Sequence, residues 1–321
     1  MREQEVGAGV ITTEEPTSAP PPAAPATVTE VPGAAERALS TRQLAWRRFR
    51  RHKLAMGSAV ILIILGLTAI FAKFVTPYGF RQIDILNAFK GPSAKHWFGT
   101  DELGRDLFTR VIYGGRISLS VGLAVAFVAG TVGAIVGGVA GYYGGWIDNI
   151  MMRVTDLFLS IPFLVILIVA SRILGNSTWD IIIILSLFFW MGDARIVRGV
   201  FLSLKEKEFV EAARASGARD RRIIFRHILP NVTGPVVVNL TLLVAAAILT
   251  ESALSFLGFG IKPPTPSWGN LLSDSESAIF TAPWLVYFPG IFILVTVLCV
   301  NFLGDGLRDA LDPHGKISEA V

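Results

Sequence analysis

Long runs without a charged side chain limit what this chain can fold into. Residues 54–72, 117–147, 228–250 and 277–304 each pass without one Asp, Glu, Lys or Arg. Each reaches or nears the roughly 20 apolar residues that a helix needs to cross a bilayer. Of 321 residues, 52% are hydrophobic and 17% charged, and mean hydropathy is +0.56; an average soluble domain is roughly a quarter charged. A soluble core cannot hide that much apolar chain. Two shorter stretches, 157–171 and 181–192, stop at Arg172 and Asp193. They read as a helical hairpin turning at Gly175, Asn176 and Ser177, because two buried passes joined by a turn satisfy the backbone better than irregular chain in lipid. The expectation is an all-α integral membrane protein with six transmembrane helices.

Basic residues orient it. Arg47, Arg48, Arg50, Arg51 and Lys53 directly precede the first run, and placing them in the cytoplasm puts most of the 29 Lys and Arg residues on the inner side, as the positive-inside tendency requires. Both termini are then cytoplasmic. A four-span version with a re-entrant hairpin keeps nearly the same balance, whereas five spans would put 214–226 outside. The organisation that follows is a Pro-rich, disordered cytoplasmic tail at 1–40, without the basic start and apolar centre of a signal peptide. A basic anchor and first helix follow at 41–76, then an outer loop with an interfacial helix at 77–116. Five further spans occupy 117–304, including a cytoplasmic loop at 205–230, and a cytoplasmic end covers 305–321.

That cytoplasmic loop is the most informative segment. Phe209, Val210, Glu211, Ala212, Ala213, Arg214, Ala215, Ser216 and Gly217 make a short helix of good formers closed by a C′ glycine. A second helix follows, which Asp220 can cap and Pro230 interrupts. Ala212, Ala213, Ala215 and Ser216 are small enough for a partner backbone to approach, and Phe209 supplies an apolar anchor. In the second helix Ile224 with Ile228 and Phe225 with Leu229 form an apolar stripe opposite Arg221, Arg222 and Arg226. A basic amphipathic loop lying on an anionic membrane surface is the plainer reading of such a segment.

The order of residues adds more. Glu211, Ala212, Ala213, three residues, Gly217, nine residues, then His227, Ile228, Leu229 and Pro230 resemble the signature loop of ABC importer permeases. His227 stands where that family usually has Ile, and the run from Arg226 to Asn231 resembles the peptide and nickel branch. The resemblance implies a type I importer permease fold in which this loop is the coupling helix that inserts into an ATPase subunit. It implies a polar contact or loop-holding role for Glu211, close-packed knobs at Ala212 and Ala213, and the turn at Gly217.

The first outer loop carries a second signature. From Trp97 to Gly122 the chain reads as a helix capped by Thr100, with Asp101 and Glu102 in its first turn. Asp101 and Arg105, and Asp106 and Arg110, sit at i,i+4 spacing, and Leu103, Leu107 and Val111 form an apolar line. This string, the run from Glu251 to Gly260 and the run from Lys262 to Gly269 are similar to the C-type permease subunits of dipeptide, oligopeptide and nickel importers. The likeness extends from about residue 40 to the C-terminus.

The resemblance implies the remaining parts of the machine: a second homologous, B-type permease subunit, two ATP-binding subunits, an extracytoplasmic solute-binding protein, and a place in the bacterial cytoplasmic (inner) membrane. ATP and Mg would be bound by the partner ATPase subunits, and no cofactor by this chain. The mechanism that the resemblance implies is alternating access for di- or oligopeptides, with nickel or haem as other cargo. The chain itself offers no Gly-rich phosphate loop, since Gly315 and Lys316 precede Ile317. Its four histidines, His52, His96, His227 and His314, are scattered, so no metal site is expected, and no nucleic-acid partner or enzyme activity either. Cys299, the single cysteine, can form no intramolecular disulfide.

Three features remain. Gly133, Gly137, Gly141 and Gly145 recur at intervals of four, a small-residue face for close packing against another span or the partner permease. Glu251 lies within a span, where an ionisable residue either lines a pathway or is held by hydroxyls, amides or a base. Asp193 and Arg195 near the inner end of the fourth span suit snorkelling or mutual pairing. An ion-coupled secondary transporter would use Glu251 with Asp193 and Arg195, yet no inverted repeat is visible. A lipid-binding scaffold is the third reading.

Overall fold

The computed structural model describes residues 41–311; the expectations placed on 1–40 and 312–321 lie outside the described residues. Helix α1 (Thr41–Arg51) carries the basic run, and His52 caps α2 (Lys53–Ile70) by accepting the Ala55 amide on Nδ1 at 3.1 Å. A short α3 (Ala72–Val75) ends this limb. Helix α4 (Leu107–Tyr143) then runs 37 residues unbroken, about 55 Å at 1.5 Å per residue. The chain continues through α5 (Gly145–Leu159), α6 (Phe163–Leu174) and α7 (Thr178–Lys205). Two short helices, α8 (Glu208–Ala215) and α9 (Asp220–Arg222), lead through a π-helical turn at Ile223–Ile228 into α10 (Leu229–Phe256). Finally come α11 (Trp268–Asp274) and α12 (Trp284–Leu311). Among the described residues the β pairing is one isolated bridge, Thr100 to Asp106.

Helix α4 is the axis of the bundle, packed on α7, α10, α2 and α5. Three apolar clusters follow its length. Leu107 and Val111 pack with Trp268, Leu271 and Leu285 at its start. Val121 and Val125 pack with Leu167, Ile184, Leu185 and Leu254 in the middle. Tyr142 packs with Val197, Phe201, Val210, Ile223 and Ile228 at its end. The loop 205–230 and the loop before α4 therefore occupy opposite ends of the bundle, separated by the length of α4.

Close approach of α4 to α7 depends on missing side chains. A Cβ on Gly141 would lie 2.7 Å from the Phe201 Cβ and 2.8 Å from the Arg198 carbonyl oxygen, one on Gly137 would strike Val197 and the Ala194 carbonyl, and one on Gly133 would strike Asp193. The face that these three form is thus turned to α7. Gly145 lies beyond the end of α4 with φ +58° and open space around it.

Among the described residues, four helical stretches are long and apolar enough to cross a bilayer: Lys53–Ile70, Leu107–Tyr143, Asp220–Phe256 and Trp284–Leu311. The pair α5 and α6 passes the same test only when taken together, and it is bent by 86°, as in a broken span or a re-entrant loop. Helix α7 is long enough at 28 residues, but Asp193, Arg195 and Arg198 interrupt its apolar character. The turn expected at Gly175, Asn176 and Ser177 is the one observed: Gly175 ends α6 at φ +119°, and Ser177 and Asp180 form a capping box that opens α7.

Several local expectations need correction. The run 157–171 is two helices, because Pro162, at φ −56° and ψ 116°, has no amide to donate and restricts the residue before it. No helix starts at Thr100. There Gly99 and Gly104 take φ +81° and +70°, and the Asp101 carboxylate accepts the Leu103 and Arg105 amides at 2.9 Å each, bending the chain locally. Asp106 caps α4 in its place, accepting the Thr109 amide at 2.8 Å, and its other oxygen meets His96 at 2.9 Å rather than Arg110. Pro230 does not interrupt its helix. The π-helical turn before it carries the chain past the missing amide, with the Leu229 amide donating to the Ile224 carbonyl five residues back.

Candidate functional site

Residues 205–230 build a small projecting unit on the end of the bundle. Helix α8 has Glu208 and Glu211 in its first turn, where the helix dipole favours acids. Its C-terminus is closed by paired bonds: the Gly217 amide donates to Arg214 O at 2.9 Å and the Ala218 amide to Ala213 O at 3.1 Å. This is a Schellman arrangement, and it needs the left-handed backbone that Gly217 supplies at φ +77°. A Cβ there would meet nothing within 4 Å, so the demand on Gly217 is conformational, not steric.

The unit is held by few side chains. Val210 is fully buried among Tyr142, Phe201, Ile223, Ile228 and Val232. Ala213 and Ala218 pack against the same cluster. The Tyr142 hydroxyl donates to Asp220 at 2.7 Å, and the Lys205 ammonium donates to Gly141 O at 3.1 Å, tying both limbs to the end of α4. Asp220 is the first residue of α9 rather than its cap, which is Arg219. On the outer face, Phe209, Glu211, Ala212, Ala215, Ser216 and Gly217 are all exposed. Ala212 and Ala213 therefore have different surroundings, the first exposed and the second against the core.

The expected stripe in the second limb is displaced. Ile223 and Ile228 are fully buried while Phe225 is 62% exposed. A π turn stacks residues five apart, so Ile223 replaces Ile224 beneath Ile228. Sequence reasoning missed Val210, Tyr142 and Ile223. For Val210 a signal existed, since it lies three residues before Ala213 and across the helix from Glu211.

At the opposite end, Asp101 accepts Arg105 Nε at 2.6 Å and Arg110 Nη1 at 2.5 Å, and Arg110 also reaches Asp274 at 3.4 Å. The Trp268 indole donates to Val111 O at 2.9 Å. Glu251 is fully buried beneath this knot, accepting Ser118 Oγ at 3.2 Å and Ser255 Oγ at 2.7 Å. Ser118 Oγ in turn accepts the Trp268 amide at 3.2 Å. Glu251 thus joins α4, α10 and α11 through hydroxyls.

The charges of α7 each bind a different partner, so Asp193 and Arg195 do not pair with one another. Asp193 accepts Asn239 Nδ2 of α10, Arg195 pairs with Asp156 of α5, and Arg198 holds Asp148 of α5 through two bonds of 2.5 Å. Among the described residues no group of three or more His, Cys, Asp or Glu could hold a metal ion.

Comparison with known proteins adds the following. A family model described as binding-protein-dependent transport system inner membrane component matches residues 129–316. A second, the N-terminal TM domain of oligopeptide transport permease C, matches 40–92. The glutathione transport system permease protein GsiD of Escherichia coli O6:K15:H31 (strain 536 / UPEC) is 44% identical over 272 residues, covering 84% of this chain and 90% of its own. The protein of the same name from Shigella boydii serotype 4 (strain Sb227) gives the same figures. A solved structure of the MetNI methionine ABC transporter in an inward-facing conformation is similar in fold, with a TM-score of 0.52 at 21% identity, covering 64% of this chain and 98% of that one.

Proposed function

The chain belongs to the family of binding-protein-dependent transport system inner membrane components, the permease subunits of ABC importers, and from that premise we propose that it carries short peptides, glutathione among them, across the bacterial inner membrane. The observation that carries the coupling half of this reading is the outward face of α8. A short helix, closed at Gly217 and seated on the core by Val210, presents exposed Phe209, Glu211, Ala212, Ala215 and Ser216 on its outer face. Such a surface suits the groove of an ATP-binding subunit.

The chain pairs with a second, B-type permease, above two ATP-binding subunits that hold ATP and Mg and below an extracytoplasmic binding protein, with both of its termini in the cytoplasm. Closure of the ATPases around ATP moves α8, and α7 and α10 carry that displacement into the bundle because the α8 unit is tied to both by its apolar cluster. The path then opens outward to accept the delivered peptide, and hydrolysis resets it. Peptide cargo rests on the 44% identity to a glutathione permease.

Purifying the tagged chain in mild detergent with its partner subunits tests this. An ATP-binding subunit should be recovered with the chain and lost with Glu211→Arg or Gly217→Trp. Peptide uptake by the purified chain alone would contradict the reading.

A further inference from the structure

Building on that reading, we propose that the Asp156–Arg195 ion pair and the break between α5 and α6 line the water-filled path, where the pair meets the charged ends of a zwitterionic solute. Two independent observations converge on this place. The first is the pair itself: its side chains are 46% and 47% exposed in the single chain, although both helices are otherwise rich in exposed apolar residues. A charge facing hydrocarbon is costly, so charged residues of membrane helices face protein or water. Its neighbours differ, for Asp148 is 13% exposed under Arg198 and Asp193 is 2% exposed under Asn239.

The second observation is the backbone. One turn beyond Asp156 the helix ends, and Ser160, Ile161 and Pro162 are exposed, non-helical residues between α5 and α6. Arg195 lies about 15 Å along α7 from Lys205, which sets the pair well in from the end of the bundle that carries the loop 205–230, with the break one turn further along α5. Irregular backbone at membrane depth persists only inside protein or beside water. The face of α7 around Arg195 is open, too, since a Cβ at Gly192 or Gly199 would meet nothing within 4 Å. Further along, exposed Trp179, Ile183 and Leu187 make the same helix apolar. The polar stretch is therefore local. An Arg and a carboxylate side by side match the carboxylate and ammonium of a free peptide.

The test uses the transporter assembled with its partner subunits in proteoliposomes. In a Cys299→Ala background, Ser160→Cys and Gly199→Cys should react with a charged, water-soluble methanethiosulfonate about tenfold faster than Ile183→Cys, because thiolate chemistry needs water. Reaction with a lipid-soluble maleimide alone, or with neither reagent, would overturn the placement. Arg195→Gln and Asp156→Asn should each slow uptake of a free short peptide about tenfold through the lost charge-assisted contact, with the thermal midpoint unchanged. The exchange Asp156→Arg with Arg195→Asp keeps an ion pair but reverses the field. Uptake should stay low, whereas full rescue would make the pair structural and sink its role with the solute. Loss of the ATP-binding subunit from the unsubstituted chain would instead break the functional reading, and the same samples report it.

Discussion

The two ends of this molecule solve opposite problems with the same helices. Around the start of α4, charged groups are buried and tied down: Asp101, Arg105 and Arg110 are at most 8% exposed and bond to one another, and Trp268 and Glu251 close the network beneath them. Around the end of α4, the chain keeps most of the small and polar residues of α8 outside and buries Val210 fully, with Ala213 packed beside it. The first end is consolidated within one chain; the second presents a finished surface that one chain does not use. Stability and function should therefore separate along the length of α4.

Substitutions at the two ends sharpen that contrast. Asp101→Ala removes the carboxylate that buried Arg105 and Arg110 share, leaving Arg110 only the longer contact to Asp274, and should cost about 3–5 kcal/mol, read as a large drop in the thermal unfolding midpoint in detergent. Val210→Ala removes two methyl groups from the cluster that seats α8 and should cost about 2 kcal/mol, with a smaller drop and weakened recovery of the ATP-binding subunit. Gly217→Ala forces a Cβ into left-handed backbone and should cost about 1 kcal/mol, visible as faster amide exchange at 214–218. Ala212→Gln, on the exposed face, should move stability by no more than about 0.5 kcal/mol yet abolish association with the ATP-binding subunit. An Ala212→Gln chain that unfolded like Asp101→Ala, or an Asp101→Ala chain as stable as the wild type, would break the comparison.

Much of this was legible in the residues. Uncharged runs located α2, α4, α10 and α12, since a bilayer demands length and apolarity that few other structures need. The helix, turn and helix of the loop were legible because Gly217 marks a left-handed closure. What stayed hidden depended on partners distant in sequence. The charges that interrupt α7 look like a fault until Asp148, Asp156 and Asn239 are brought beside them. Thr100 and Asp101 look like a helix start, but Asp101 serves Arg110 nine residues on and bends the chain to do so. The π turn before Pro230 could not be seen from helical periodicity, which assumes the spacing that the turn changes.

Everything about coupling rests on α8 being the part that another subunit holds. Placing a cysteine at exposed Ser216 in a Cys299→Ala chain, and adding a short thiol crosslinker to inside-out vesicles that contain the partner subunits, measures this directly. The account predicts a crosslink to the ATP-binding subunit that changes in yield when ATP is added. A Ser216→Cys thiol reached only by an impermeant reagent from the extracytoplasmic side, or one that crosslinks to no ATP-binding subunit, would contradict it.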